Sequence, residues 1–331
     1  MQRRIGLAIC LFCLLLVLGA CGERNAGPAA QSDAPVYEVT DIRGYTTQLA
    51  AKPQRILTLS LGTDEILLGL VEPERIAAVN QLLDDPVNSN VTALASRFSR
   101  KLSNPSVEEI AALQPELVIL PDWGEAAKAD ALRDLGIRVV VCYGAKSVDE
   151  IKANIRLIAQ AVGEEERGSS LIAQMDSKLA EIAAKTEAIP SAERKSVVLL
   201  SVMSTYGGSG CVFDDVCRLA AVCNGRAAAG IPNGQPMGKE ELVKIDPDIL
   251  LLPTYNNHGS FDVEGFRRSY LEDPSLQTMR AIRLRNLKEP RESYIYNDSQ
   301  DVVFGVQELA CMAYGSAFAQ PDGEHLTAVQ P

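Results

Sequence analysis

Ser106-Val-Glu-Glu-Ile-Ala-Ala-Leu-Gln-Pro-Glu-Leu-Val-Ile-Leu120 is matched further along the chain by Gly238-Lys-Glu-Glu-Leu-Val-Lys-Ile-Asp-Pro-Asp-Ile-Leu-Leu-Leu252. Each copy reads as a short helix, a Pro-acidic corner and a buried strand. A unit that recurs once at such a distance is not a solenoid array, whose periods run to about 20–50 residues. It implies two similar lobes, and two lobes imply a cleft between them where a ligand can sit.

The flanking sequence extends the same plan. Val36–Asp41 reads as an edge strand with Asp41–Gly44 as its turn, Arg55–Ser60 as a buried strand, Thr63–Leu70 as a helix and Arg75–Asn80 as a strand. After the first repeated unit come the loop at Pro121–Gly124, a helix to Leu135 and a strand at Ile137–Cys142. Strands alternating with helices at this spacing predict parallel α/β sheets. From Ser147 to about Ile189 the chain reads as helix with a break near Gly163; Leu171, Ile172, Met175, Leu179, Ile182 and Ala183 recur at helical spacing, and Pro190 ends the run. In the second half, Ser196–Val202 reads as a strand, Met203–Gly210 as a loop followed by a helix through Cys223, Ser293–Tyr296 as a strand and Val302–Tyr314 as a helix. The expected organisation is therefore an N-terminal α/β lobe over 36–163, a linking helix over 164–190, a C-terminal α/β lobe over 191–318, and a tail over 319–331 expected to be disordered.

The start of the chain indicates its destination. Arg3 and Arg4 precede an apolar run from Ile5 to Val17, the pattern of a secretory leader over residues 1–20, and the run is too short for a membrane span of about 20 residues. Leu18-Gly19-Ala20-Cys21 resembles a bacterial lipobox, which implies cleavage before Cys21 and lipidation of its sulfur; a plain cleaved leader and an uncleaved anchor are the alternatives. Residues 21–35 are rich in Gly, Pro, Ala, Gln and Ser and read as a flexible tether. The expected location is extracytoplasmic, with the lipid as the contact to the membrane. Loss of Arg3 and Arg4 with the leader takes the net charge from −11 to −13, which opposes nucleic-acid binding. Beyond Cys21 the cysteines are Cys142, Cys211, Cys217, Cys223 and Cys311, an odd set without a C-x-x-C pair, and the histidines are His258 and His325, so no metal centre is expected.

Taken together, Lys52-Pro-Gln-Arg-Ile56, Thr63-Asp-Glu-Ile66, the two Glu-Glu…Pro-acidic units and the long helix between the halves resemble the periplasmic-binding family for ferric chelates and vitamin B12, the substrate carriers of ABC importers. The resemblance covers roughly residues 37–318. It implies two α/β lobes joined by one stiff helix, a ligand cleft between them, modest closure on binding, and a permease dimer as partner.

Ser106 and Glu109 have capping-box spacing, and Glu241 stands in the same place behind Gly238. Glu108 and Glu240 are left without a capping role; in the family, matching glutamates dock onto basic residues of the permease, the plainer alternative being support of the helix N-terminus. Cys223 and Cys311 occupy positions where the B12-binding members have a disulfide, so the resemblance implies that pairing, with Cys211–Cys217 as an additional possibility.

Ligand contacts are expected on loops at the carboxyl ends of the strands. These loops supply Ser60, Thr63, Phe98, Arg100 and Trp123 from the first lobe, and Tyr206, Gly207, Ser209, Tyr255 and His258 from the second. Aromatic and small polar side chains suit a large, flat or greasy chelate, and Arg97, Arg100 and Lys101 suit an anionic one. Each has a plainer reading: surface packing for Trp123, a flexible turn for Tyr206–Gly210, a solvated face for the basic cluster. Phe98 stands where some haem carriers of the family place a ligating tyrosine, which weakens haem, and scarce histidine weakens bare zinc or manganese. No phosphate loop or Gly-x-Ser-x-Gly elbow is present, and capture needs no catalytic residue and no cofactor of the protein's own. The expected function is a lipid-anchored carrier of an iron-siderophore chelate, with corrinoid and haem carriers next. A surface sensor or adhesin that kept the fold, and a chelatase-like enzyme, are the readings from other classes.

Overall fold

The computed structural model describes residues 37–123, 126–255 and 260–330. The leader, Cys21, the tether and His258 lie outside the described residues. A hairpin of β1 (Tyr37–Thr40) and β2 (Thr46–Leu49) opens the fold. Its turn is held by Asp41, whose Oδ1 accepts the Arg43 and Tyr45 N–H groups, each at 2.9 Å.

The first lobe runs β3 (Ile56–Thr58), α1 (Leu61–Leu70), β4 (Ile76–Asn80), β5 (Lys101–Leu102), α2 (Val107–Ala112), β6 (Leu117–Pro121), α3 (Ala126–Asp134) and β7 (Val139–Cys142). Two helices, α4 (Val148–Val162) and α5 (Glu165–Thr186), then lead to the second lobe. That lobe runs β8 (Ser196–Leu199), α6 (Val212–Leu219), β9 (Cys223–Asn224), α7 (Lys239–Ile245), β10 (Ile249–Leu251), α8 (Val263–Leu271) and β11 (Leu287–Lys288), and α9 (Val302–Tyr314) follows. The sheets have the orders β5-β4-β3-β6-β7 and β11-β10-β8-β9, with every pair parallel. This is the expected two-lobed α/β architecture.

The repeated units occupy equivalent places. β6 lies beside β3 in one lobe, and β10 beside β8 in the other. Each helix ends in a left-handed non-glycine residue, Gln114 (φ 50°) and Asp246 (φ 43°), and the following proline prevents further helix. The acid after each proline reaches sideways to the amino end of the neighbouring strand. Glu116 accepts the Gln54 N–H at 2.6 Å, and Asp248 accepts the Ser196 N–H at 2.9 Å. The Pro-acidic corner thus locks strand to strand, which is why the two lobes share it.

Leu57, Val118, Leu120 and Val141 pack one face of the first sheet against α2 and α3; Val198, Leu250 and Leu252 pack the corresponding face of the second with Leu242 of α7. The opposite faces belong to one continuous core. It joins Ile56, Ile66 and Ile119 of the first lobe to Leu171 and Met175 of α5, and to Val197, Phe213 and Val306. Fully burying each such side chain contributes about 1.5–3 kcal/mol, so wide separation of the lobes would cost many of these contacts. Between α4 and α5 the chain turns at Gly163 (φ 73°), and Glu164 there accepts a 2.6 Å ion pair from the largely buried Arg75.

Three local expectations are corrected. Glu292–Ile295 is a helical turn rather than a strand, because Glu292 turns inward to accept the Thr254 and Tyr255 N–H groups and Tyr294 fills the core. Helix α6 stops at Leu219, with Ala221 left-handed (φ 56°), so Cys223 lies on the short strand β9 and is exposed. The tail is ordered: residues 320–328 run back over both lobes through side-chain and backbone hydrogen bonds.

Candidate ligand cleft

In each parallel sheet the helix N-termini and the loops leaving the strands gather at the carboxyl edge, and here the two edges face each other. The hollow between them measures about 580 Å³. Lobe one contributes Leu59, Ser60 and Leu61 after β3, Asn80 and Leu82 after β4, Trp123 after β6, and Gly144 to Lys146 after β7. Lobe two contributes Met203, Tyr206, Cys211 and Val212 around the start of α6, then Asn233, Tyr296 and Asp298.

Ser60 lines the cleft as the cap of α1. Its Oγ accepts the Thr63 N–H at 3.2 Å, and Thr63 Oγ1 accepts the Ser60 N–H at 3.2 Å. Thr63 is only 4% exposed and its hydroxyl is spent on this reciprocal cap, so it is a structural group and not a wall of the cleft. Trp123, 58% exposed, rests on Gly144, where any Cβ would collide with the indole. The glycine after β7 therefore gives the tryptophan its seat.

The Tyr206–Gly210 segment is pinned rather than flexible. Ser209 N–H donates to Ile231 O at 3.1 Å, Asn233 N–H to Ser209 O at 2.9 Å and Gly234 N–H to Thr205 O at 2.9 Å. Gly208 passes so close to Ile231 and Pro232 that a Cβ would strike their backbone. Beneath it the buried Arg226 donates to Tyr206 O at 2.5 Å and Gln235 O at 2.6 Å. Tyr206 then meets Tyr296 with ring centroids 5.2 Å apart, an aromatic shelf on the second lobe. Burial drives the Tyr206 phenol well above its ordinary pKa, so it remains a neutral hydroxyl.

Asp298 lies against the N-terminal turn of α1, where a Cβ on Gly62 would collide with its carboxylate. Desolvation by the surrounding protein pushes its pKa up to about 6. Behind it, burial pushes Asp64 up to about 7, against the hydrogen bonds from Thr58 and from the Asn80 N–H. A raised carboxyl binds its proton more tightly folded than unfolded, so its contribution is full below the usual value of 3.8 and is lost as pH rises through the folded pKa. The thermal midpoint is therefore expected to fall by about 5 °C between pH 5 and pH 8, and Asp64→Asn to flatten that slope in calorimetry. A midpoint independent of pH over this window would contradict the assignment.

The other expected contacts lie elsewhere. Phe98 and Arg100 line a separate hollow of about 270 Å³ with Pro73, Glu74 and Arg97. Their stretch precedes β5, so it lies at the amino end of the sheet, away from the cleft; Lys101 is paired with Asp84. Gly207 and Ser209 build the loop without lining the hollow. Tyr255 receives its place from Glu292, and its neighbour Thr254 lines a second hollow of about 640 Å³ with Asn90, Arg291 and Tyr294. The disulfide implied for Cys223 and Cys311 is not formed: Cys142, Cys211, Cys217, Cys223 and Cys311 are all free thiols. Cys223 has left the helix for an exposed edge strand, while Cys311 is held half-buried in α9.

Glu109 and Glu241 cap as expected, accepting the Ser106 N–H at 2.7 Å and the Gly238 N–H at 2.5 Å. Glu108 and Glu240 are exposed in the same first turns and have no hydrogen-bond or ion-pair partner among the described residues. Each helix runs into the amino end of the next strand, so its N-terminus points to the carboxyl edge, where the cleft opens.

The sequence matches the family described as periplasmic binding protein over residues 56–292. The chain belongs to the periplasmic binding protein family. This family member is 25% identical over 324 residues to the uncharacterized ABC transporter substrate-binding lipoprotein YvrC of Bacillus subtilis, covering 90% of this chain and 99% of that one. It is 21% identical over 310 residues to the probable siderophore-binding lipoprotein YfiY of the same organism, covering 87% and 91%. In three dimensions it is similar to the periplasmic haem-binding protein RhuT of Roseiflexus sp. RS-1, with TM-score 0.67, 24% identity and coverage of 79% and 98%. Like its relatives it has a two-lobed fold, and no helix among its described residues is long and apolar enough to cross a membrane.

Proposed function

We propose that this family member is the lipid-anchored, extracytoplasmic substrate-binding component of an ABC importer, and that it captures a ferric siderophore of the hydroxamate class. The leader and Cys21, and the lipoprotein relatives named above, support the anchoring and the import role. Capture requires no bond making, and the assigned role is binding and delivery to a permease.

The lining of the cleft carries the choice of ligand. Trp123, Leu59, Leu61, Leu82, Met203 and the Tyr206–Tyr296 shelf offer apolar and aromatic surface, while Asn80 and Asn233 offer neutral polar groups. Among the described lining residues the charged side chains are Lys146 and Asp298, and none is arginine. A trianionic catecholate complex would find little to neutralise it there, whereas a neutral or cationic hydroxamate complex would not need neutralising. The volume lies within the usual 300–1,000 Å³ range, estimated at about the scale of a drug-sized ligand. The Tyr206–Tyr296 pair, its rings tilted by 36°, gives a corrinoid second place.

Calorimetric titration of the full chain in detergent with a cationic ferric trihydroxamate, a ferric tricatecholate, cyanocobalamin and haem tests this reading. Binding of the trihydroxamate at least about tenfold tighter than the tricatecholate, a difference of about 1.4 kcal/mol, is expected. Preference for the tricatecholate or haem would overturn the hydroxamate assignment, and cyanocobalamin as the tightest ligand would replace it with the corrinoid.

A further inference from the structure

The last described residues return across the molecule. Gln320 Nε2 donates to Phe304 O at 2.9 Å, and Arg291 donates to Asp322 Oδ1 at 2.5 Å. Glu324 O accepts from Tyr294 Oη of the second lobe at 3.2 Å and from Asn90 Nδ2 of the first at 2.6 Å. Leu326 N–H donates to Asp301 Oδ1 at 2.9 Å, and His325 Nδ1 lies 2.7 Å from Asp301 Oδ2. Thr327 O accepts from Gln174 of α5 at 3.1 Å, and Ala328 N–H donates to Gly69 O of α1 at 2.9 Å. A Cβ on Gly69 would press on Leu326 O and Gln300, so the glycine lets the segment approach.

Asp301, the residue most used by this segment, is fully buried at the head of α9. It also receives Asn90 Nδ2 of the first lobe at 2.8 Å. The chain immediately before it, from Tyr296 to Gln300, is held to the first lobe through one buried side chain. Glu65 accepts from Asn297 Nδ2 at 2.7 Å and from Ser299 Oγ at 2.8 Å, and its backbone carbonyl accepts from Gln300 Nε2 at 2.8 Å. Of the two cleft residues of this loop, Asp298 stands between the Asn297 and Ser299 anchors and Tyr296 stands directly before the first of them.

We infer that residues 320–328 form an inter-lobe strap that limits the opening of the cleft and, through Asp301 and Glu65, positions Tyr296 and Asp298 for the ligand. The strap touches both lobes and the connecting helix, so opening the cleft must break its hydrogen bonds. Asp301 and Glu65 are positioning residues: neither lines the cleft, and both act through the loop between them. The part concerning the ligand rests on the cleft reading above; the part concerning the lobes does not.

Two variants of the full chain test it: a chain ended after Ala319, and Ala328→Pro, which removes the N–H donated to Gly69 and fixes the local φ. Amide hydrogen exchange is read in ligand-free protein, and dissociation of a ferric trihydroxamate is read by stopped flow. Exchange is expected to accelerate by about tenfold or more around both Asn90–Ala95 and Tyr296–Val302 in the shortened chain, and less in Ala328→Pro. Ligand release is expected to quicken by about tenfold, with Glu65→Gln retaining slow release and Glu65→Ala losing it. Exchange unchanged in both variants, or accelerated only in the second lobe, would overturn the strap. Release unchanged despite faster exchange in both lobes would overturn its hold on the ligand. If the trihydroxamate binds neither form, the ligand assignment fails, and exchange in the two lobes still decides the strap.

Discussion

The double charge reversal Glu108→Lys with Glu240→Lys is expected to abolish carrier-stimulated ATP hydrolysis by the cognate permease in proteoliposomes, while ligand affinity stays within about twofold. Both glutamates are exposed and unpaired among the described residues, and each begins a helix whose N-terminus faces the open side of the cleft. Two carboxylates, one per lobe, would give a basic partner surface both attraction and register; reversing both would set like charges against that surface at a cost of several kcal/mol, on the order of a hundredfold or more in affinity. A single reversal is expected to weaken coupling partially, with a steeper dependence on salt. Neighbouring Glu109 and Glu241 serve as controls. Their carboxylates satisfy backbone donors, so Glu109→Ala is expected to cost about 0.5–1.5 kcal/mol of stability, the usual net contribution of one hydrogen bond, and little coupling. Full stimulation by the doubly reversed carrier would remove these residues from the docking surface.

Gly208→Ala is expected to reduce ligand affinity about a hundredfold, the largest loss for any single methyl group in the cleft region. The new Cβ would fall on the backbone of Ile231 and Pro232, neither of which is a flexible side-chain end that can swing aside. The two segments must separate, breaking the Ser209–Ile231 and Asn233–Ser209 hydrogen bonds and moving Tyr206 away from Tyr296. A displacement of about 1 Å at a recognition group is enough to lose much of its contribution. The adjacent Gly207 has φ 99°, so Gly207→Ala strains the backbone as well and makes a second variant of the same loop. Calorimetric affinity reads the effect, and far-ultraviolet circular dichroism checks that the fold persists. Unchanged affinity in a folded Gly208→Ala protein would mean that this loop does not recognise the ligand.

Much of the architecture was legible because its signals are local. The repeated helix, Pro-acidic corner and strand contain their own stop signals, and the corner acids make equivalent contacts in both lobes. The rule that ligands gather at strand carboxyl ends named Ser60, Trp123 and Tyr206, which line the hollow between the lobes, and applied to β4 and β7 it would also have named Asn80 and Lys146. It placed Phe98 and Arg100 on the wrong side, because the two-residue β5 leaves no readable strand signal and its position decides which end those residues occupy. Tyr296 and Asp298 come only after a helical turn that follows the two-residue β11, which leaves no readable strand signal; their place comes from Glu65, distant in sequence. Ser293–Tyr296 has β-forming side chains, yet packing of Tyr294 and the inward Glu292 impose a helical turn. The strap has few apolar residues, and its order rests on partners such as the buried Asp301 and the half-buried Asn90 that composition cannot reveal.

The account stands on the cleft between the lobes as the ligand site, and Trp123 reports on it directly because it is the chain's one tryptophan and lines that cleft. Its fluorescence, corrected for ligand absorption, should be followed during titration of the full chain with a ferric trihydroxamate. Saturable quenching is expected with the same midpoint as calorimetry, together with retained calorimetric binding and loss of the optical signal in Trp123→Phe. Calorimetric saturation with no change in Trp123 emission would place the ligand outside the cleft and contradict the account.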